Sequence, residues 1–248
     1  MLEFEARTCQ DRSVYTPSTL VPELVPFVDD QVWTARAPLR FFGVPMGSRM
    51  TVCRLGDGRL WVHSPIELKT IKAELDRLGE VAFAIAPNLL HHVFMGPFIA
   101  AYPRARLFVS PKLVKKRPDL PAEAALGDHP PAGTWADTLD QAIVRGSSLL
   151  DEVVFLHRPS RTLILCDACM CMHRDAPLGW RLLARAGGIY EHYGPPLEVK
   201  LTFRDRTALR GFVERVLEWD FDRLILSHGD LIETGGKEIF RRAYEFCL

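Results

Sequence analysis

Residues 150–167 read LDEVVFLHRPSRTLILCD. Two apolar runs of strand length flank Arg158-Pro159-Ser160-Arg161, a polar segment with a proline, so the stretch reads as a β-hairpin. Its second run, Thr162 to Cys166, carries no polar alternation, as expected of a strand buried on both faces. It ends at Asp167. Two other runs share this design: VAFAIA (81–86) leads to Pro87-Asn88-Leu89-Leu90-His91-His92, and RLILS (223–227) leads to His228-Gly229-Asp230. In layered α/β folds the carboxyl ends of strands form the edge where ligands collect. Three such ends could aim His91, His92, Asp167 and His228 into one volume.

The rest of the chain supplies layers for these strands. RMTVCRL and RLWVHS flank the turn Gly56-Asp57-Gly58, a hairpin signal. Ser64-Pro65-Ile66-Glu67 reads as a capped helix start, followed by Leu68, Ile71, Leu75 and Leu78 at helical spacing and closed by Gly79. A helix is expected around 93–102, a strand at RLFVS (106–110), and a surface loop from about 112 to 140. Residues 172–203 show no clear period. An amphipathic helix is expected from Asp205, with Leu209, Phe212, Val213, Val216 and Leu217 on one face. A last helix is expected from about Gly236. Strands alternating with one-faced helices require sheet covered by helix, an α/β layered fold. The expected organisation is an extended, proline-bearing arm over residues 1–30 and one domain over 31–248.

The 248 residues are 48% apolar and 25% charged, which is ordinary globular composition. Basic and acidic residues number 31 each, so no net positive field is available to hold nucleic acid or an anionic membrane. No apolar run approaches the roughly 18–20 residues that span a bilayer. The opening MLEFEARTCQDRS is mixed in charge and lacks a signal-peptide core, so the expected location is cytoplasmic. Self-association as a homodimer stays open.

Imidazoles with one carboxylate suit Zn, Fe or Mn better than Ca or Mg, which prefer oxygen shells. Taken alone, a strand-end His or Asp is more often a hydrogen-bonded structural residue. The combination is what points to a metal.

In motif order the chain resembles the metallo-β-lactamase fold superfamily. The order runs from an N-terminal β region and a helix to a strand ending in a histidine-bearing loop, a hairpin ending in Asp, and a late strand ending in His-Gly. PNLLHH, LILCD and LILSHGD are most similar to an uncharacterised branch, a domain of unknown function. The resemblance covers roughly residues 30–245 and implies an αββα four-layer sandwich. Typical members carry His-x-His-x-Asp-His, aligned here with Pro87 to His92. Only the last His is kept, as His92. His91 stands where the family has Asp, and Pro87 and Leu89 replace the first two histidines. A further family histidine is missing from Arg145-Gly146-Ser147-Ser148. One metal position has thus lost its ligands. The other would keep His92, Asp167 and His228, with His91 as a fourth ligand.

The resemblance implies one divalent metal, Zn first with Fe or Mn as alternatives, acting on a small-molecule ester, thioester, lactone, amide or phosphodiester. Asp167 and His91 would be catalytic, and Asp230 could orient a ligating imidazole. Trp180, Tyr190, His192 and Tyr193 are the expected substrate wall, against the alternative of an ordinary surface loop. Two other outcomes stay open: a non-catalytic binding or scaffold relative with a degenerate site, and a mononuclear non-haem iron redox protein. Cys166-x-x-Cys169-x-Cys171 lacks a second cysteine pair for a thiolate site. Cys166 is expected to pack in the core, and a pocket or redox role remains for Cys169 or Cys171.

Overall fold

The computed structural model describes residues 20–41, 44, 45, 47–172 and 178–248. Of the expected arm, residues 1–19 lie outside the described residues, and Val25–Val28 forms strand β1. Next come β2 (Val32–Ala37), the short β3 (Arg40–Phe41) and β4 (Val44–Pro45), β5 (Ser48–Arg54) and β6 (Leu60–His63). Helix α1 (Lys72–Leu78) leads to β7 (Val81–Ala86), α2 (Met95–Ala101), β8 (Arg106–Val109), α3 (Leu113–Lys116) and β9 (Ala122–Ala125). The second half holds β10 (Leu139–Ile143), β11 (Val153–His157), β12 (Thr162–Leu165), α4 (Leu178–Ala186), α5 (Leu197–Lys200), α6 (Arg206–Glu218), β13 (Arg223–Leu226) and α7 (Gly236–Ala243).

Two sheets carry the architecture. One has the order β1-β2-β5-β6-β7-β8-β9 and the other β10-β11-β12-β13. Period-2 side chains divide each strand between two cores. In β11 and β12, Val153, Phe155 and Ile164 meet Trp61, Phe83 and Phe108 of the first sheet, forming the layer between the sheets. Their alternates Val154, Leu156, Leu163 and Leu165 pack outward against Leu209, Phe212, Val213 and Val216 of α6 and Phe240 of α7. On the far side, Val62, Ala84 and Val109 pack against Leu75 of α1 and Phe98 of α2. The result is helix, sheet, sheet, helix: the αββα sandwich.

Two local expectations differ from the structure. Ser64 does not cap a helix. It sits at φ 51° with its Oγ 3.3 Å from Cys166 Sγ, and α1 begins only after Ile71. Ser64, Pro65 and Ile66 are buried, so packing against the second sheet overrides the local capping pattern. The 112–140 stretch, expected as loop, contributes α3 and the edge strand β9. Its AEAA sequence gives no apolar alternation, and it joins β8 by parallel pairing of its backbone.

Candidate metal centre

The parallel pairing of β12 with β13 places Leu165 beside Leu226. Asp167 and His228 each lie two residues beyond that pair, so they leave the sheet on the same edge. β7 reaches this edge from the other sheet, and the Val153 N–H donates to Pro87 O at 3.0 Å, tying the two sheets together where β7 ends.

The turn after β7 decides which histidine faces inward. Asn88 Oδ1 accepts the backbone N–H of Leu90 (2.9 Å) and of His91 (2.8 Å), an Asx-type turn. His91 thereby points into the edge and is 9% exposed. The structure does not bring His92 into the cluster: it is half-buried on the other side, with Nδ1 accepting from the Arg117 guanidinium at 2.9 Å. Adjacent side chains diverge, so one imidazole enters and the next leaves.

One donor atom from each of His91, Asp167 and His228 lies within 4.8 Å of the others, and all three residues are buried. Asp167 Oδ1 is 3.5 Å from His91 Nε2 and 3.5 Å from His228 Nε2. Donors bound tetrahedrally at about 2.0–2.1 Å from one ion stand roughly 3.3 Å apart, so this spacing suits a shared cation. Both imidazoles also hold a buried Nδ1 with no hydrogen-bond partner among the described residues.

Behind the three donors lies a residue that motif reading did not single out. Glu152 is fully buried, and its Oε1 accepts the Cys166 N–H at 2.7 Å. Its Oε2 accepts the N–H groups of Asp167 (2.7 Å) and Ala168 (3.1 Å). Asn88 Nδ2 bridges the two carboxylates, 3.0 Å from Glu152 Oε2 and 2.7 Å from Asp167 Oδ2. An acidic residue just before an apolar strand, paired with an Asn just after one, was the available signal.

Burial and the neighbouring Asp167 charge push the Glu152 carboxyl up to about 7. Burial would also raise Asp167, but His91 and His228 outweigh it and hold Asp167 well below the usual carboxylate range. Burial disfavours charge on His91, yet the Cys166 sulfur and Asp167 carboxylate beside it hold its pKa well above 6.5. Burial dominates at His228 and lowers it. Among the described residues the ion-pair partners of Asp167 are both imidazoles, with His91 holding a proton against it. A divalent cation would take the place of that proton.

The other expected residues fall around this centre. Asp230 is buried and accepts from Tyr193 Oη at 3.3 Å, outside the three-donor cluster. Tyr190 lies under the Arg185 guanidinium, 3.8 Å from its ring centroid, and His192 is exposed. Trp180 lies in α4, and its side chain is outside the described residues. Cys166 Sγ is buried and receives the Ser227 hydroxyl at 3.1 Å. Burial pushes the Cys169 thiol up to about 12 and raises Cys171 further, so both are held as thiols.

No curated protein matches the chain. Solved structures do. A metallo-β-lactamase from Erythrobacter litoralis with β-mercaptoethanol in the active site superposes with TM-score 0.63 at 15% identity, covering 91% of this chain and 96% of that one. The metallo-β-lactamase FIM-1 from Pseudomonas aeruginosa in its mono-zinc form gives TM-score 0.61 at 12% identity, covering 93% and 96%. The metal-soaked Flv1 flavodiiron core from Synechocystis sp. PCC6803 gives TM-score 0.61 at 10% identity, covering 91% of this chain and 60% of that one. At these identities the likeness shows the fold, which is that of the metallo-β-lactamases. The family described as Domain of unknown function (DUF4336) matches residues 29–186, and the chain belongs to that family, as a branch of the metallo-β-lactamase-like fold.

Proposed function

We propose that the protein is a metal-dependent hydrolase of a small-molecule ester, thioester, lactone, amide or phosphodiester, with one divalent cation held by His91, Asp167 and His228. The observation that carries the proposal is the convergence of these donors from three strand ends, with one Asp167 oxygen equidistant from two imidazole nitrogens. His92, expected as a ligand, is left out because its ring is turned to Arg117. Zinc is the first choice for such a nitrogen and oxygen set, with iron or manganese as alternatives.

When bound, the cation would supply Lewis acidity, acidifying water and polarising a carbonyl or phosphoryl oxygen. The chain's own residues set the conditions. His91 and His228 present Nε2 to the centre, and Asp167 presents Oδ1. Burial of all three excludes bulk water and strengthens each electrostatic interaction there. Of the expected wall, Tyr193 donates its hydroxyl to Asp230, two residues beyond His228.

The test begins with elemental analysis of protein purified without added metal, followed by assays of the zinc-loaded form on p-nitrophenyl ester, lactone and bis-p-nitrophenyl phosphate substrates. About one metal per chain and turnover of one substrate class are expected. Asp167→Ala and His228→Ala should each abolish both. Unchanged metal content in the two variants would overturn the site, and a metal-loaded protein inert on all classes would overturn the hydrolase.

A mononuclear iron redox protein is the second reading, because two histidines and one carboxylate also form the ligand set of non-haem iron oxygenases. The Flv1 likeness keeps it in view. Iron as the purified metal, with oxygen consumption on reduction, would favour it over hydrolysis.

A further inference from the structure

Asp167 has two oxygens with different neighbours. Oδ1 faces both imidazoles at 3.5 Å, while Oδ2 accepts from Asn88 Nδ2 at 2.7 Å. The Asn88 amide cannot turn over without loss. Its oxygen already receives the Leu90 and His91 N–H groups, and its second amide hydrogen goes to Glu152 Oε2 at 3.0 Å. Glu152 in turn receives three consecutive N–H groups, from Cys166, Asp167 and Ala168. Both residues are almost completely buried, Asn88 at 1% and Glu152 at 0% exposure. Burying a carboxylate so far from solvent is costly, and the three amides of one turn offset that cost. The arrangement makes sense if the product is the shape of the Asp167 turn.

We propose that Asn88 and Glu152 are positioning residues of the cation site: Glu152 builds the Asp167 turn, and Asn88 occupies Asp167 Oδ2 so that Oδ1 alone is offered to the cation. This rests on the cation reading of His91, Asp167 and His228. Asn88 serves both ends of the site, because the same amide that restrains Asp167 also turns His91 inward through its oxygen. With Oδ2 holding the Asn88 amide, coordination through Oδ1 alone is favoured over a bidentate or bridging carboxylate. Groups that hold ligands in this way typically affect metal affinity by about 10–100-fold.

The test is a Co2+ titration of the full chain followed by visible absorption, with thermal unfolding of the metal-free protein alongside. Asn88→Ser keeps a hydroxyl able to cap the Leu90 and His91 amides but not to restrain Asp167. Glu152→Gln removes the charge and replaces one of the two accepting oxygens with an N–H donor, which cannot receive the backbone amides of the turn. Each is expected to weaken Co2+ binding by about 10–100-fold. In Asn88→Ser the absorption should also lose intensity, as Asp167 becomes free to use both oxygens and the coordination number rises. A merely structural role would lower the melting temperature and leave the spectrum of the bound ion unchanged. Wild-type affinity and spectrum in Asn88→Ser would overturn the proposal, and if Glu152→Gln fails to fold, Asn88→Ser decides alone. Wild-type protein that binds no Co2+ overturns the cation reading itself, a result distinct from binding that Asn88→Ser leaves untouched.

Discussion

Arg49 sits on β5 at 2% exposure, and its guanidinium reaches across to the opposite sheet. It donates to the carbonyls of Leu226 and of Gly229, the latter at 2.9 Å. These carbonyls bracket His228, so one side chain from the first sheet fastens the turn that carries a donor on the second. Hydrogen bonds from a charged group contribute about 1.5–3 kcal/mol each, and a buried acceptor left unpaired costs a similar amount. Arg49→Met should therefore lower unfolding free energy by about 3 kcal/mol, read as a shift in the urea midpoint at constant slope. It should also weaken metal binding, since His228 loses the tether on both sides. Gly146 poses the opposite problem. Its φ is 85°, and an added Cβ would lie 2.2 Å from the Asp205 carbonyl oxygen. Gly146 O accepts the N–H groups of Arg204 and Asp205, so the turn cannot open without losing the start of α6. Gly146→Ala should cost more than about 1 kcal/mol, measured by thermal unfolding.

At the scale of elements, legibility followed how much of each segment's fate was local. Helix α6 was readable because its cap and its stripe agree: Asp205 accepts the Ala208 N–H at 2.9 Å, and Leu209, Phe212, Val213 and Val216 are buried. Asp205→Ala should remove about 1 kcal/mol while leaving α6 folded, seen as a lower melting temperature with unchanged circular dichroism. The Ser64 segment carried an equally good local signal and does something else, because its neighbours in space lie 102 residues away, at Cys166. Helix α4 was not readable for a different reason. Its apolar residues are one-sided, but the helix is only nine residues long, too short for the period to stand out, and Leu178, Leu182 and Leu183 are left exposed rather than fixed against a core. The strand ends bearing His91, Asp167 and His228 were legible because each is an apolar run stopped by a polar residue. Which of His91 and His92 would enter was not, since the Asx turn at Asn88 decides it. Glu152 was harder to read for a related reason: among the described residues three of its four partners are backbone amides, which leave no mark on the sequence, and only its bond to Asn88 involves a second side chain.

At the scale of the whole molecule, the layer between the sheets is unusually aromatic and holds a histidine among its rings. His63 stacks on Trp61 with ring centroids 5.5 Å apart and meets Phe155 edge-on at 5.6 Å. Nearby at the end of β11, His157 is 1% exposed, with Nδ1 2.7 Å from Ser160 Oγ. Burial holds His63 at about 3 and, helped by the Arg158 charge, His157 at about 4. Both are neutral in the folded protein at pH 7. In the unfolded chain a histidine takes its proton near 6.5, so between about pH 6.5 and 4 the unfolded state binds more protons. Stability is therefore full above pH 6.5 and declines as pH falls toward the folded values. For His157 alone the loss between pH 6.5 and 4.5 should be about 2 kcal/mol. His157→Asn keeps a polar partner for Ser160 and removes the titration. Urea midpoints of the two proteins across pH 4.5–7.5 should thus diverge at the top of the range and converge at the bottom. Parallel curves would mean that His157 takes up its proton in the folded protein at about the same pH as in the unfolded chain, and would overturn the reading that burial holds it neutral.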